Sequence, residues 1–138
     1  MSVTSRLAHL GIAVLTLEAA EDIYRGLGLA VAERVAFPQE GLRLGFISSG
    51  GVAIELLEPQ DPNTALARFL SNRGQGVHHL AFEVPDIEQA MARAEEAGMR
   101  LIDKKPRAGA HNTKVAFIHP GSAHGVLLEL VQPSGPRS

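Results

Sequence analysis

The chain has 138 residues, 45% of them hydrophobic, enough for one domain with a continuous core. Its 13 Lys and Arg against 15 Asp and Glu leave a formal net charge of -2, so no broad cationic field supports a nucleic-acid or anionic-membrane partner, and a small molecule is the expected ligand. There is no cysteine, which excludes disulfides, thiolate nucleophiles and Cys-type zinc sites, so any metal must bind through nitrogen and oxygen.

The opening "MSVTSR" has no apolar core of signal-peptide length, and no run of about 18 apolar residues exists to span a bilayer. A soluble, unsecreted, cytoplasmic protein is the expectation. The first apolar strand is "AHLGIAV". Thr16 then stands as an N-cap ahead of Glu18, Glu21 and Asp22, and Leu17, Ala20, Tyr24 and Leu27 recur at helical spacing until Gly28 stops the helix. "LAVAERVAF", "LRLGFI", the turn "SSGG" and "VAIELLEP" read as strands joined by hairpins. Residues 60–75 form a linker in which Pro62, a cap at Asn63 and apolar Ala65, Leu66, Phe69 and Leu70 predict a short helix and loop.

From Gly76 the same order returns. "GVHHLAFEV" is a strand, Asp86 with Gln89 three residues on resembles a capping box, and Ile87, Ala90, Met91 and Ala94 form the apolar stripe of a helix closed by Gly98. "RLIDKK", "KVAFIHP", the turn "GSAHG" and "VLLELVQP" then repeat the strand series, and the tail "PSGPRS" reads as frayed. The expected architecture is α+β, one domain over 1–138 made of two tandem βαβββ modules, about 6–59 and 76–133, in a curved mixed sheet.

Aligning the modules on their own punctuation places His9 over His79, at the start of the opening strands. It also places Glu55 over Glu129, each four residues before a proline in "ELLEP" and "ELVQP". A carboxylate on so apolar a strand is costly unless paired or bound to a cation. Any one of these side chains alone is more often a hydrogen-bonded core residue than a ligand, but the duplication favours a set. Two imidazoles and two carboxylates suit one divalent ion at about 2.0–2.2 Å from each ligand atom.

"HLGIAV", "VHHLAFEVPDIEQA", "RLIDKKPRAGAH", "KVAFIHP" and "HGVLLELVQP" resemble the methylmalonyl-CoA epimerases over nearly the whole chain. That family lies in the vicinal oxygen chelate superfamily, which also contains glyoxalase I. The resemblance implies a glyoxalase-like fold around a metal site, with His9, Glu55, His79 and Glu129 as ligands of one divalent ion (Co2+, Mn2+, Ni2+ or Zn2+). Some epimerases carry glutamine at the position of Glu55. It implies interconversion of (R)- and (S)-methylmalonyl-CoA, with the metal chelating thioester and carboxylate oxygens while Glu129 moves the α-proton, and it implies a homodimer. Several epimerases have a second catalytic glutamate three residues after the glycine of "PQEGLRLGF". That position is Leu44 here, which cannot transfer a proton, so the second acid is unassigned and Glu40 is a weak candidate about 13 Å along the strand.

Other residues carry plainer expectations. His78 alternates away from His79 and should pack outside the metal shell, and Glu83 should make an ion pair at the rim. Lys104, Lys105, Arg107, His111 and Lys114 would attract the phosphates of a CoA tail, although a solvated basic loop is the plainer account. "GQG" and "SSGG" precede no helix as a phosphate cradle would. Two alternatives stand beside the epimerase: a glyoxalase I-type isomerase acting on a glutathione hemithioacetal, which would use the same ligand set, and a non-catalytic binding protein of the superfamily, against which retention of all four ligands argues.

Overall fold

The computed structural model describes residues 5–135. The described chain divides into two compact units: one runs from His9 to His78, and the other joins residues 5–8 with residues 79–135. Strand β1 (Arg6–Ala13) begins in the second of these and ends in the first.

In the His9–His78 unit, β1 is followed by α1 (Leu17–Gly26), β2 (Ala30–Phe37), β3 (Leu42–Ser49), β4 (Val52–Pro59) and α2 (Ala65–Arg73). The strands lie in the order β2-β3-β4-β1. β1 runs parallel to β4, while β3 is antiparallel to both its neighbours. Helix α1 starts where expected: Thr16 Oγ1 accepts from Ala19 N at 3.3 Å. Its inward face buries Leu17 against Val14, Ile47 and Leu56, with Ala20 and Tyr24 alongside. Leu27, expected inward, is 72% exposed. It caps the helix rather than continuing it, and the turn closed by Gly28 at φ 86° carries it away from the core. The buried position that a hydrophobic stripe would give to a leucine belongs instead to Glu21, wholly buried and held by Arg34 of β2 at 2.5 and 3.0 Å.

The linking helix α2 is capped by Thr64, not Asn63. Thr64 Oγ1 accepts from Ala67 N at 3.1 Å, while Asn63 N donates to Asp61 Oδ1 in the turn before it. The threonine wins because Asp61 already organises the preceding turn, whose carbonyl accepts the Thr64 hydroxyl at 2.9 Å.

In the other unit, β5 (Gly76–Glu83, from His79 on), α3 (Ile87–Glu96), β6 (Arg107–Ala108), β7 (Lys114–Ile118) and β8 (Leu128–Gln132) follow in turn, with strand order β5-β8-β7-β6. Asp86 caps α3 by accepting from Gln89 N at 3.1 Å, and Ile87, Met91 and Ala94 bury the face read from the sequence. "RLIDKK" is not a strand. Leu101 makes a single bridge to Ile118, and Asp103 turns its side chain to the Phe117 backbone N–H, replacing the ladder with a side-chain bond. The paired segment is the shorter β6 further along.

Helices α1 and α3 are each tied to the closing strand of their own unit in the same way. Leu17 N donates to Glu58 Oε2 at 2.8 Å, and Ile87 N donates to Gln132 Oε1 at 2.9 Å, so an orphan donor at each helix start is met by the residue before the proline of "ELLEP" or "ELVQP". The α+β class and the duplicated strand–helix–strand order stand as expected. Among the described residues, no helix is long and apolar enough to cross a membrane.

Candidate metal and acyl-CoA site

The two faces of the His9–His78 sheet are told apart by what they touch. Ile12, Ile54, Leu56 and Ile47 meet α1, so by strand alternation His9, Glu55 and Phe46 stand on the opposite face. There His9 Nε2 lies 3.4 Å from Glu55 Oε2, both side chains 13% exposed. Phe46 is the direct cross-strand neighbour of Glu55.

The other unit repeats the arrangement. His79 Nε2 is 2.9 Å from Glu129 Oε1, and both are buried. Phe117 is the cross-strand neighbour of Glu129, and its ring meets the His79 ring edge-on at 5.8 Å. The Arg107 guanidinium lies 5.2 Å from the Phe117 ring centre. Asp103 fixes that cation, accepting from Arg107 Nε at 3.1 Å and from Phe117 N at 2.8 Å. Arg107 is thus braced on a ring that touches His79, though like Lys104 and Lys105 it stands exposed. A cation stacked on an aromatic face keeps one orientation, and the Asp103 carboxylate limits its net field.

The donor chemistry of both pairs fits a divalent ion of the borderline class. Each couples an imidazole nitrogen to a carboxylate oxygen in an apolar setting where either group alone would be costly. Both His–Glu pairs are marked by repetition in the sequence, whereas the aromatic residue beside each glutamate was not read from it. The signal was available, since "GFI" and "AFI" occupy matching places in the strands before the two closing strands.

The remaining residues are placed as follows. Glu40 closes a 3-10 turn (Pro38–Glu40) ahead of β3, so strand parity with Leu44 does not apply to it. Leu44 is 2% exposed, opposite Leu57. His78 packs edge-on against Phe69 at 4.8 Å, outside the His79 pair as expected. Glu83 makes its rim ion pair with Arg6 at 2.9 Å.

Two carboxylates on the helix side have clear electrostatics. Arg34 hydrogen-bonding holds the Glu21 carboxyl below the usual range against the opposing effect of burial. Arg43 does the same for Glu58, helped by the Leu17 N–H. Both are therefore ionised structural anions at neutral pH, with no role as proton donors.

Residues 8–117 match the family model of the Glyoxalase/Bleomycin resistance protein/Dioxygenase superfamily. The chain belongs to that superfamily, whose fold it has. It is 42% identical over 130 residues to the ethylmalonyl-CoA/methylmalonyl-CoA epimerase of Cereibacter sphaeroides, covering 92% of this chain and 97% of that one. It is 37% identical to the mitochondrial methylmalonyl-CoA epimerase of Bos taurus over 92% of this chain and 74% of the relative. A crystal structure of a Streptomyces coelicolor methylmalonyl-CoA epimerase variant in complex with 2-nitronate-propionyl-CoA superposes with TM-score 0.89 at 32% identity, covering 96% of this chain and all of that one. Within the superfamily, the chain is a member of the methylmalonyl-CoA epimerase family.

Proposed function

We propose that this protein is a metal-dependent epimerase that inverts the carbon between the thioester and the carboxylate of methylmalonyl-CoA. The observation that carries the reading is the duplicated His–Glu pair, His9 with Glu55 and His79 with Glu129, in a chain so similar to acyl-CoA epimerases along nearly its whole length. In this reading the four side chains are the ligands of one divalent ion drawn from Co2+, Mn2+, Ni2+ and Zn2+. Such an ion, when bound, supplies Lewis-acid polarisation of the substrate's carbonyl oxygens.

The chain's own residues do the rest. Glu129 exchanges the α-proton with one face of the substrate carbon at a carboxylate oxygen, its position fixed by His79. An unperturbed glutamate has a pKa of about 4.3, so carbon acidity must be raised and water kept out for it to act as base. Phe46 and Phe117 flank the two glutamates and serve that exclusion. Lys104, Lys105 and Arg107 meet the CoA portion, the braced Arg107 nearer the reacting end and the two lysines toward the phosphates. A cytoplasmic homodimer completes the proposal.

The test is turnover of the metal-loaded protein with methylmalonyl-CoA and, separately, with the methylglyoxal–glutathione hemithioacetal. Inversion of the first with no isomerisation of the second is expected. Activity on the hemithioacetal alone would instead assign a glyoxalase I-type isomerase, and no stoichiometric divalent ion after supplementation would assign a non-catalytic binding protein. Glu129→Gln should lower α-proton exchange of one epimer in deuterated solvent by about 10²-fold or more, and exchange of both epimers at the parent rate would remove Glu129 from the chemistry.

A further inference from the structure

Inversion at a carbon centre is most simply served by one group that removes the proton from one face and a second that delivers a proton to the other. We propose that Glu33 is this second acid/base, an assignment that rests on the epimerase reading and deepens it.

The argument begins at an irregularity in β2. Val31 packs with the α1-facing core, opposite Ile47. Arg34 also faces α1, where it donates to Glu21 and to Glu18. Its strand partner Gly45 confirms the side, since a Cβ there would meet Glu21 Oε2 at 3.2 Å and Leu17 at 3.4 Å. In a regular strand, residues 31 and 34 point to opposite faces. They share one here because the register shifts between Val31 and Glu33. Such a bulge, which re-aims side chains and recurs beside active sites, turns Glu33 from the helix face to the face of His9 and Glu55. Arg34, partly exposed, locks the turn in place through its bonds to buried Glu21.

On that face Glu33 is directly opposite Phe46, and Phe46 is directly opposite Glu55. Two inter-strand steps put Glu33 about 10 Å from Glu55, backbone to backbone, a gap that a glutamate side chain and a small acyl group can fill. Leu44 is the diagonal neighbour of Glu33 on this face and carries no exchangeable proton. Glu33 is also exposed, so it can exchange its proton with water between turnovers. Glu40 is worse placed. It lies beyond Leu42, the last residue of the β2–β3 ladder, and Leu42 is itself four residues, about 13 Å, from Phe46.

The step balances. The α C–H bond breaks as its proton passes to Glu129, leaving the electron pair delocalised into the substrate's carbonyls. Protonated Glu33 then gives its proton to the opposite face, reforming the C–H bond. The reverse direction exchanges the two roles.

The test uses Glu33→Gln, with Glu40→Gln for comparison, each given the two epimers separately in deuterated solvent. In Glu33→Gln, inversion should fall about 10²-fold or more, while one epimer still exchanges its α-proton at close to the parent rate. Melting temperature and affinity for 2-nitronate-propionyl-CoA should be unchanged. Glu40→Gln should invert normally. Inversion by Glu33→Gln within threefold of the parent would overturn the assignment, and so would a loss of inversion matched by a loss of analogue binding. A parent protein that inverts neither epimer would instead overturn the epimerase reading beneath it.

Discussion

Glu21 is a charged residue at 0% exposure, in a helix position where apolar periodicity would place a hydrophobe. It is tolerated because Arg34 donates to both of its oxygens. Removing only the arginine strands a buried anion, so Arg34→Met should cost about 3 kcal/mol in urea unfolding, whereas the double change Arg34→Met with Glu21→Leu should recover most of it. A recovery of less than half would mean that the pair is not the source of the cost. The sequence displays neither partner's role. Glu21 reads as an acid near a helix start; only the bulge in β2 brings Arg34 to it. His79 and Glu129 were legible by contrast, because a duplicated chain offers an internal comparison in which each chemically expensive residue appears twice.

At the scale of elements, the bond from each helix start to its closing strand is repeated, with Glu58 charged in one unit and Gln132 neutral in the other. Gln132→Leu leaves the Ile87 N–H without its partner. That should cost about 1 kcal/mol, a fall of roughly 3–4 °C in the calorimetric melting temperature for a chain of this size. Asp86→Ala removes the cap three residues along and should cost a similar ~1 kcal/mol. Their sum should be additive only if the two bonds act independently, which a double mutant measures directly. The helix starts at Thr16 and Asp86 and the glycine stops were readable because caps and breakers act locally. The replacement of "RLIDKK" by a bridge and a side-chain bond was not, because the apolar pair in it resembles a strand until Asp103 finds the Phe117 N–H.

Across the whole molecule, Glu21 and Glu58 both have carboxyls held low by arginines, and Glu18 is lowered chiefly by a hydrogen bond from its own backbone N–H. Groups depressed in the folded state add stability that is complete above the unfolded pKa of about 4.3 and is lost as pH falls through the folded values. The melting temperature of the metal-free protein should therefore show no loss from these groups between about pH 5.5 and 7 and decline below about 4.5. Arg43→Gln should lessen the decline, and an unchanged acid limb would remove Glu58 from the account. A divalent ion that binds only the folded chain should raise the melting temperature in proportion to the logarithm of its concentration. His9→Ala and His79→Ala should each weaken that rise, as one shared ion requires. A response to only one of the two would separate the pairs into independent sites.

The sequence alone determined the α+β class, the two capped helices and the positions of the two histidines and two glutamates that form the His–Glu pairs. Those features depend on periodicity, local capping chemistry and repetition along a single chain. Tertiary structure decided which residues share a face: the Phe beside each glutamate, the arginine braced on Phe117, and the turn of Glu33 onto the His9 side. A one-residue shift in strand register exchanges every side chain between faces, and that shift is set by pairing with a neighbouring strand rather than by any property of the segment itself.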